Sequence, residues 1–314
     1  MKPTEIKTEI GRSEATHRQS SRGALWRNML AAMRPLHWVK NIFVLVPLLF
    51  SASEWTSVQI VYISAAFGLF CLAASAVYLF NDVVDREEDA RHPSKQLRPI
   101  TRGLVSVHDA LFMATILAFA SIGGAYALAP ALSYVIAGYV ALNIGYTWFL
   151  KRWVIVDAVV IALGFVIRIW AGAAAVNIPT GTWMLVTTFF LSALIAFSKR
   201  RYEIVYDGTE AFHTRGYTPY LLDMLILLSA ASVIGSYVFY ILARGTWQHE
   251  YIILSTVLVV FYGTMRYIYV IHRNEERLDH TRLILSDRPL MAAVILWTAL
   301  MMVAIHRVAL PIGL

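Results

Sequence analysis

The chain has 314 residues, of which 58% are hydrophobic and 15% are charged, and its formal net charge is +7. An average soluble domain is about 45–50% apolar and about 25% charged, so a soluble globule of this composition would expose apolar patches large enough to aggregate. A lipid bilayer removes that objection. The single cysteine, Cys71, excludes a disulfide framework and a cysteine-based metal site.

Nine apolar stretches are candidates for membrane helices, which need roughly 20 mostly apolar residues; the first and sixth are short, with a tilted or partly re-entrant path as the alternative. They are predicted at 38–54, 57–81, 107–128, 130–149, 155–176, 182–198, 220–243, 250–271 and 289–310. Residues 1–24 are polar, lack the apolar core of a signal peptide, and are predicted to form a disordered cytoplasmic tail. The sequence therefore predicts an all-α integral membrane protein of about nine helices, with one transmembrane domain over 25–314.

Lys and Arg residues set the predicted orientation. With nine crossings, 23 of the 27 fall on the side of the N-terminus. Cytoplasmic loops carry such an excess, so the N-terminus and the polar loops 82–106 and 199–219 are predicted to face the cytoplasm. The same rule explains the basic charge without a nucleic-acid partner.

The densest polar stretch, 81–89, follows the second predicted span. Its three aspartates are Asp82, Asp85 and Asp89. If the helix continues, a rotation of about 100° per residue places them on one stripe. Carboxylates at this density suit Mg²⁺, and the following Lys95 and Arg98 suit phosphate oxygens. A solvated juxtamembrane loop is the plain alternative, but three acids beside a basic cluster favour a metal–diphosphate site.

A second polar group joins the fourth and fifth predicted spans. Its members are Tyr146, Lys151, Asp157 and Arg168. Asp157 and Arg168 are eleven residues apart and share one helix face. An arginine in the middle of a membrane is costly and by default marks a functional site facing the bundle interior. A structural partnership with a carbonyl or hydroxyl group is the alternative.

A third group, which contains Lys199 and Arg200, follows the sixth span. Glu203 and Asp207 at i, i+4 suit a second metal ion or the hydroxyl groups of a sugar. The basic run alone would equally serve as an ordinary positive-inside signal. Lys40 and Asn41, at the start of the first span, are predicted to face the same polar pocket.

Together these motifs resemble the UbiA superfamily of intramembrane prenyltransferases. The resemblance rests on Asn81-Asp82-x-x-Asp85-x-x-x-Asp89 and Arg98-Pro99-Ile100-x-x-Gly103. It implies a bundle of nine helices in which this stretch follows the second helix and holds Mg²⁺ and a diphosphate.

Within the superfamily the chain is most similar, over 30–310, to the branch that transfers phosphoribose to decaprenyl phosphate. Further matching motifs are Arg34-Pro35-x-x-Trp38-Val39-Lys40-Asn41, His92-Pro93-x-Lys95, Tyr146-x-x-x-Leu150-Lys151 and Lys199-Arg200-x-x-Glu203. Two departures stand out. Asp157 replaces the glutamate of the mycobacterial members, and the Tyr-Ala-x-x-Asp-x-x-x-Asp motif of aromatic prenyltransferases is absent from the sequence.

The resemblance implies transfer of 5-phosphoribose from phosphoribosyl diphosphate (PRPP) to a polyprenyl phosphate, for cell-wall glycolipid precursors. It implies a Mg²⁺ cofactor, with Mn²⁺ as the other candidate ion, held by Asn81, Asp82, Asp85 and Asp89. Glu203 joins the three aspartates as a catalytic residue. Phosphate and ribose binding fall to Lys40, Asn41, Lys95, Arg98, Lys199, Arg200 and Asp207, and lipid-phosphate binding to Tyr146, Lys151, Asp157 and Arg168.

The implied location is the bacterial inner (plasma) membrane, where the protein would be multi-pass with its active site facing the cytoplasm. The sequence does not fix the oligomeric state, and a homo-oligomer is possible. One alternative function is prenyl transfer from a prenyl diphosphate to an aromatic acceptor. Another, of a different class, is a multi-span transporter or flippase, which predicts charged residues deep in several spans and inverted repeats.

Overall fold

A computed structural model describes residues 23–51, 55–92, 95–207, 216–243, 250–273 and 286–306. Within these ranges all regular secondary structure is helical. The α-helices are α1 (23–32), α2 (Val46–Leu49), α3 (Ser57–Val84), α4 (Arg86–Asp89), α5 (Val107–Leu128), α6 (Pro130–Trp148), α7 (Val156–Val176), α8 (Thr182–Tyr202), α9 (Pro219–Ala243), α10 (Glu250–His272) and α11 (Arg288–His306). Other helical turns are the 3₁₀ segments Pro35–Leu45, Lys95–Leu97 and Leu150–Arg152 and the π-helical turn Glu203–Asp207. Nearly all of the predicted tail, 1–24, lies outside the described residues.

Seven helices among the described residues are long and apolar enough to cross a membrane, namely α3, α5, α7, α8, α9, α10 and α11. They match seven of the nine predicted spans, so the prediction of a helical multi-span protein is confirmed. Two predicted spans take another form. The stretch 38–54 overlaps a shorter apolar helical segment, Pro35–Leu49, and 130–149 contains α6, which is not among the seven. Nine crossing helices stay a prediction.

The segment Pro35–Leu49 begins with a proline at its first helical turn and lies against α7. Its backbone comes so close to Gly172 that a Cβ atom there would lie 1.8 Å from the Val44 carbonyl oxygen. Only glycine permits this approach, because any side chain would collide with a backbone atom that has little room to move. The contact holds Asn41 against the middle of α7.

Extensive packing joins α3 to α5 and α8 to α9. Two of the buried apolar clusters fix the parts of the bundle that carry the polar residues. One is built around Phe70, Leu132 and Tyr139, and the other around Phe197 and Leu222. Polar side chains that point into these clusters are therefore held by packed helices rather than by loops.

The helix ends that precede the long polar loops meet at one end of the bundle, here called the polar face. Lys95, which follows α4, lies within electrostatic range of Glu203, at the end of α8. Ion pairs also join each of these helix ends to another segment: Lys151 contacts Asp85, and Arg201 contacts Asp223. This agrees with the prediction that the loops 82–106 and 199–219 lie on one side of the membrane. The cytoplasmic orientation of that side stays a prediction.

Candidate active site

The aspartate motif lies at the end of α3, where the helix meets the polar face. Asp85 departs from helical geometry, with φ −88° and ψ 3°, and α4 then adds one more turn. The predicted continuation of the helix is therefore correct except for this junction. Asp82 and Asp89 are buried, and Asn81 accepts a hydrogen bond of 3.0 Å from Thr147.

Each aspartate of the motif contacts a cation from another part of the chain. Arg98 Nη1 donates to Asp82 Oδ1 at 3.0 Å and also contacts Asp89. Arg34 makes a second contact with Asp82. Lys151, from the turn after α6, contacts Asp85. In the resulting cluster, acidic and basic side chains form ion pairs with each other at the polar face of the bundle.

This cluster suits a divalent cation by the type of its ligands. Carboxylate oxygens are hard donors of the kind that Mg²⁺ prefers. Asp82 Oδ2 is buried and has no hydrogen-bond partner among the described residues, so one oxygen is available to a further ligand. The described residues contain no preformed group of three or more acidic, histidine or cysteine side chains around a metal position. Asp82, Asp85 and Asp89 thus share the end of α3 but are each neutralised by a cation.

Burial shifts the titration of two groups in the cluster. It raises the pKa of Asp89, against the opposing effect of Arg98 and Lys95. For Lys95, burial lowers the pKa, and the nearby Arg98 charge lowers it further. Both effects follow because a low-dielectric environment disfavours the charged form of either group. A phosphate-bearing ligand would supply the negative charge that stabilises the lysine as a cation.

Two further predicted phosphate-binding lysines stand near this cluster. Lys40 lies within electrostatic range of Lys199 and Arg34, so several positive charges converge here. Lys199 is 62% exposed and lies 3.9 Å from Glu203, one turn later. Asp207 ends the π-helical turn, and its side chain lies outside the described residues.

Arg168 lies inside the bundle and is held by neutral groups. It donates to Asn41 Oδ1 at 2.9 Å, to the Gly164 carbonyl at 2.7 Å and to the Tyr139 hydroxyl at 3.1 Å. The aromatic rings of Phe70, Tyr139 and Phe165 surround its guanidinium carbon at 5.0–5.4 Å. Asn41 therefore orients Arg168, whereas the sequence assigned this asparagine to phosphate or ribose binding.

Asp157, at the start of α7, and Arg200, near the end of α8, form a buried ion pair. Arg200 Nε donates to Asp157 Oδ2 at 2.8 Å, and Arg200 Nη1 donates to Glu203 Oε2 at 2.8 Å. Tyr146 also hydrogen-bonds to Arg200. Two residues predicted for lipid phosphate, Tyr146 and Asp157, thus meet two predicted for the ribosyl donor, Arg200 and Glu203.

Three contributors to the site were missed in the predicted set of functional residues. Arg34 stood in a motif without an assigned role, and its partner Asp82 is 48 residues away. Thr147 and Tyr217 carried no sequence signal at all. Tyr217 donates to Asp157 Oδ1 at 2.6 Å, a contact across 60 residues that only the packing of the bundle creates.

The chain is similar in sequence to one protein family and to named relatives within it. The sequence profile of the UbiA prenyltransferase family matches residues 41–287. A decaprenyl-phosphate phosphoribosyltransferase of Corynebacterium glutamicum is 36% identical over 217 residues, 67% of this chain and 65% of that protein, just under two thirds of its length. The protein of the same name from Mycobacterium tuberculosis is 35% identical over 247 residues, 75% of this chain and 82% of that protein.

The fold has a solved counterpart. The structure of a UbiA homolog from Archaeoglobus fulgidus bound to DMAPP and Mg²⁺ matches with a TM-score of 0.69, covering 88% of this chain and 99% of that one. At 18% identity this match concerns the fold alone. The family profile spans well over half of the chain, and its residues include the aspartate motif and all the ion pairs described above except that of Arg34, which precedes residue 41. The chain belongs to the UbiA prenyltransferase family and is a membrane-embedded transferase.

Proposed function

We propose that the protein transfers 5-phosphoribose from PRPP to a polyprenyl phosphate, releasing diphosphate, at the cytoplasmic side of the bacterial inner membrane. The observation that carries this proposal is the cluster in which Asp82, Asp85 and Asp89 meet cations from three separate segments. Such a cluster combines oxygen ligands for a divalent ion with donors for phosphate oxygens. The relatives at 35–36% identity, which bear the name decaprenyl-phosphate phosphoribosyltransferase, support the choice of substrates.

The number of cations also favours two phosphate-bearing substrates. Lys95 and Arg98 lie at the aspartate cluster, Lys40 and Lys199 beside it, and Arg168 deeper in the bundle. PRPP carries a diphosphate and a 5-phosphate, and the acceptor carries a further phosphate. A prenyl diphosphate with an aromatic acceptor presents one diphosphate and no further phosphate group. The apolar helices and the surrounding lipid provide the apolar environment that a polyprenyl tail needs.

Mg²⁺ is the proposed cofactor, with Asn81, Asp82, Asp85 and Asp89 as the residues that would hold it. The unpartnered, buried Asp82 Oδ2 supports this assignment. When bound, the ion supplies charge neutralisation for the leaving diphosphate, worth several kcal/mol in comparable sites. Arg98 and Lys151 now neutralise the same carboxylates, so they are placed to exchange these partners for phosphate oxygens.

In the proposed reaction the bond between ribose C1 and the diphosphate oxygen breaks, and a bond forms between C1 and an oxygen of the lipid phosphate. Lys95 and Arg98 hold the diphosphate as it departs with the bonding electrons. Glu203, fixed by Arg200, stabilises the positive charge that develops on the sugar. Arg168 orients the acceptor phosphate, which is largely dianionic at neutral pH and needs no base. Holding both substrates in line supplies much of the remaining acceleration.

A diphosphate-release assay with paired substrates tests the proposal. Purified protein with Mg²⁺ is given PRPP or a prenyl diphosphate, each with a polyprenyl phosphate or an aromatic acid. We expect diphosphate only from PRPP with polyprenyl phosphate. Release from the prenyl diphosphate with the aromatic acid would instead establish the prenyltransferase alternative, and release from neither pair would contradict both substrate assignments.

A further inference from the structure

The hydroxyl group of Tyr217 connects two parts of the chain on the polar face. It donates to Asp157 Oδ1 at 2.6 Å and accepts a hydrogen bond of 2.6 Å from the backbone N–H of Ile155. Tyr217 is 7% exposed and belongs to a buried apolar cluster between α7, α8 and α9. Burial and its bond to Asp157 both raise the pKa of this hydroxyl, so it stays a proton donor at neutral pH.

The backbone at Ile155 is strained. Its φ is +72° and its ψ is −43°, a region that a β-branched residue rarely enters. Such conformations persist only where the surroundings impose them, and they concentrate at functional sites. Gly216, with φ +88°, lies directly against Val154, since a Cβ atom there would be 2.9 Å from Val154 Cγ2. The pair Gly216–Tyr217 thus clamps the strained turn.

This turn carries Lys151 to the aspartate motif. Trp153 N–H donates to the Leu150 carbonyl at 3.2 Å, and Asp157 N–H donates to the Trp153 carbonyl at 3.1 Å. The stretch from Lys151 to Asp157 is therefore a continuous hydrogen-bonded unit. At one end Lys151 contacts Asp85, and at the other Asp157 holds Arg200.

We propose that Tyr217 is a positioning residue for the transfer reaction, which fixes Lys151 opposite Asp85 and Asp157 opposite Arg200 through one hydroxyl group. As a statement about catalysis this rests on the proposed function, but the clamp itself is a property of the fold. Tyr217 touches neither of the proposed substrates. It acts through the two charged residues whose placement it sets.

The variant Tyr217→Phe removes the hydroxyl and keeps the ring in the buried cluster, so the protein is expected to fold. Tyr267→Phe is the matched control. Tyr267 is equally buried, belongs to the same cluster and hydrogen-bonds to Ser198, outside the clamp. With Tyr217→Phe we expect kcat to fall about tenfold, the loss typical of one hydrogen bond to a charged group, while Tyr267→Phe keeps the wild-type rate.

A double-mutant cycle with Lys151→Met separates positioning from general destabilisation. If Tyr217 acts in part through Lys151, the loss in the double variant is smaller than the sum of the two single losses. Hydrogen exchange of the peptide 150–157 is measured in parallel and requires no substrate. We expect faster exchange in Tyr217→Phe than in Tyr267→Phe.

A failure of the proposed function and a failure of this inference give different results. If the wild-type protein does not transfer phosphoribose, the proposed function is wrong, and the exchange experiment still decides whether the clamp exists. Equal exchange in both tyrosine variants, or fully additive rate losses in the cycle, would overturn the inference.

Discussion

Replacing Arg98 by methionine tests how the aspartate cluster is held together. Arg98 bridges Asp82 and Asp89, whose side chains are 1% and 2% exposed, while its own side chain is 22% exposed. Removing one partner of a buried ion pair costs about 3–5 kcal/mol. Asp82 keeps Arg34 and the arginine is partly solvated, so a loss of about 2 kcal/mol is expected after allowing for solvent screening.

The assay is thermal unfolding of the purified protein in detergent, for Arg98→Met and for the double variant Arg98→Met/Asp89→Asn. The single variant should unfold several degrees below wild type. The double variant should recover most of that loss, because the amide of asparagine no longer leaves a buried charge without its cation. Activity should stay low in both, since Arg98 is proposed to bind the diphosphate.

Arg201→Met provides the control on the same face. Its partner Asp223 is 40% exposed, and exposed ion pairs contribute only about 0–1 kcal/mol. Its unfolding temperature should therefore stay close to that of wild type. Arg98 does not stabilise the buried aspartates if Arg98→Met is as stable as Arg201→Met, or if adding Asp89→Asn does not raise the unfolding temperature of Arg98→Met.

Three more predictions concern substrate binding. Because the pKa of Lys95 is lowered, its positive charge is lost as pH rises through that lowered value, so the KM for PRPP should increase at a pH below the usual lysine range. The variant Lys95→Arg keeps its charge and should abolish this increase in KM. A pH profile that is the same in both proteins would contradict the role of Lys95 in PRPP binding. Arg168→Met should raise the KM for polyprenyl phosphate about tenfold and leave the KM for PRPP unchanged. An unchanged KM for polyprenyl phosphate would show that Arg168 has only a structural role. Asp82→Asn should raise the Mg²⁺ concentration needed for half-maximal rate, and wild-type Mg²⁺ dependence would exclude this carboxylate as a ligand.

Local pattern was sufficient to predict where the polar and charged side chains concentrate. The Asp82–Asp89 stretch was expected at the end of the second span because apolar length fixes where a helix leaves the membrane, and α3 ends there at Val84. Seven spans followed from the same reasoning. The segment Pro35–Leu49 differs because prolines and the close contact with Gly172 favour a short, partly 3₁₀ segment packed on α7.

Partners across the chain could not be predicted from local pattern. Spacing along a helix shows that Asp85 and Asp89 share a face, but it does not show that Lys151, 66 residues away, will contact Asp85. Asn41 accepts a hydrogen bond from Arg168, 127 residues away, a contact that local pattern does not show, and its assignment to phosphate or ribose binding stays a prediction. Tyr217 follows a polar loop, and its role depends on the strained turn at Ile155, which nothing in the sequence marks.

The most direct test of the proposed function is the mass of the lipid product. Purified protein is incubated with Mg²⁺, PRPP and a polyprenyl phosphate, and the extracted lipid is analysed by mass spectrometry. The account predicts a lipid heavier than the acceptor by one phosphoribosyl group, absent when Asp82, Asp85 and Asp89 are all replaced by asparagine. Recovery of only unmodified polyprenyl phosphate after incubation with folded wild-type protein would contradict it. Formation of the same product by the triple variant would also contradict it.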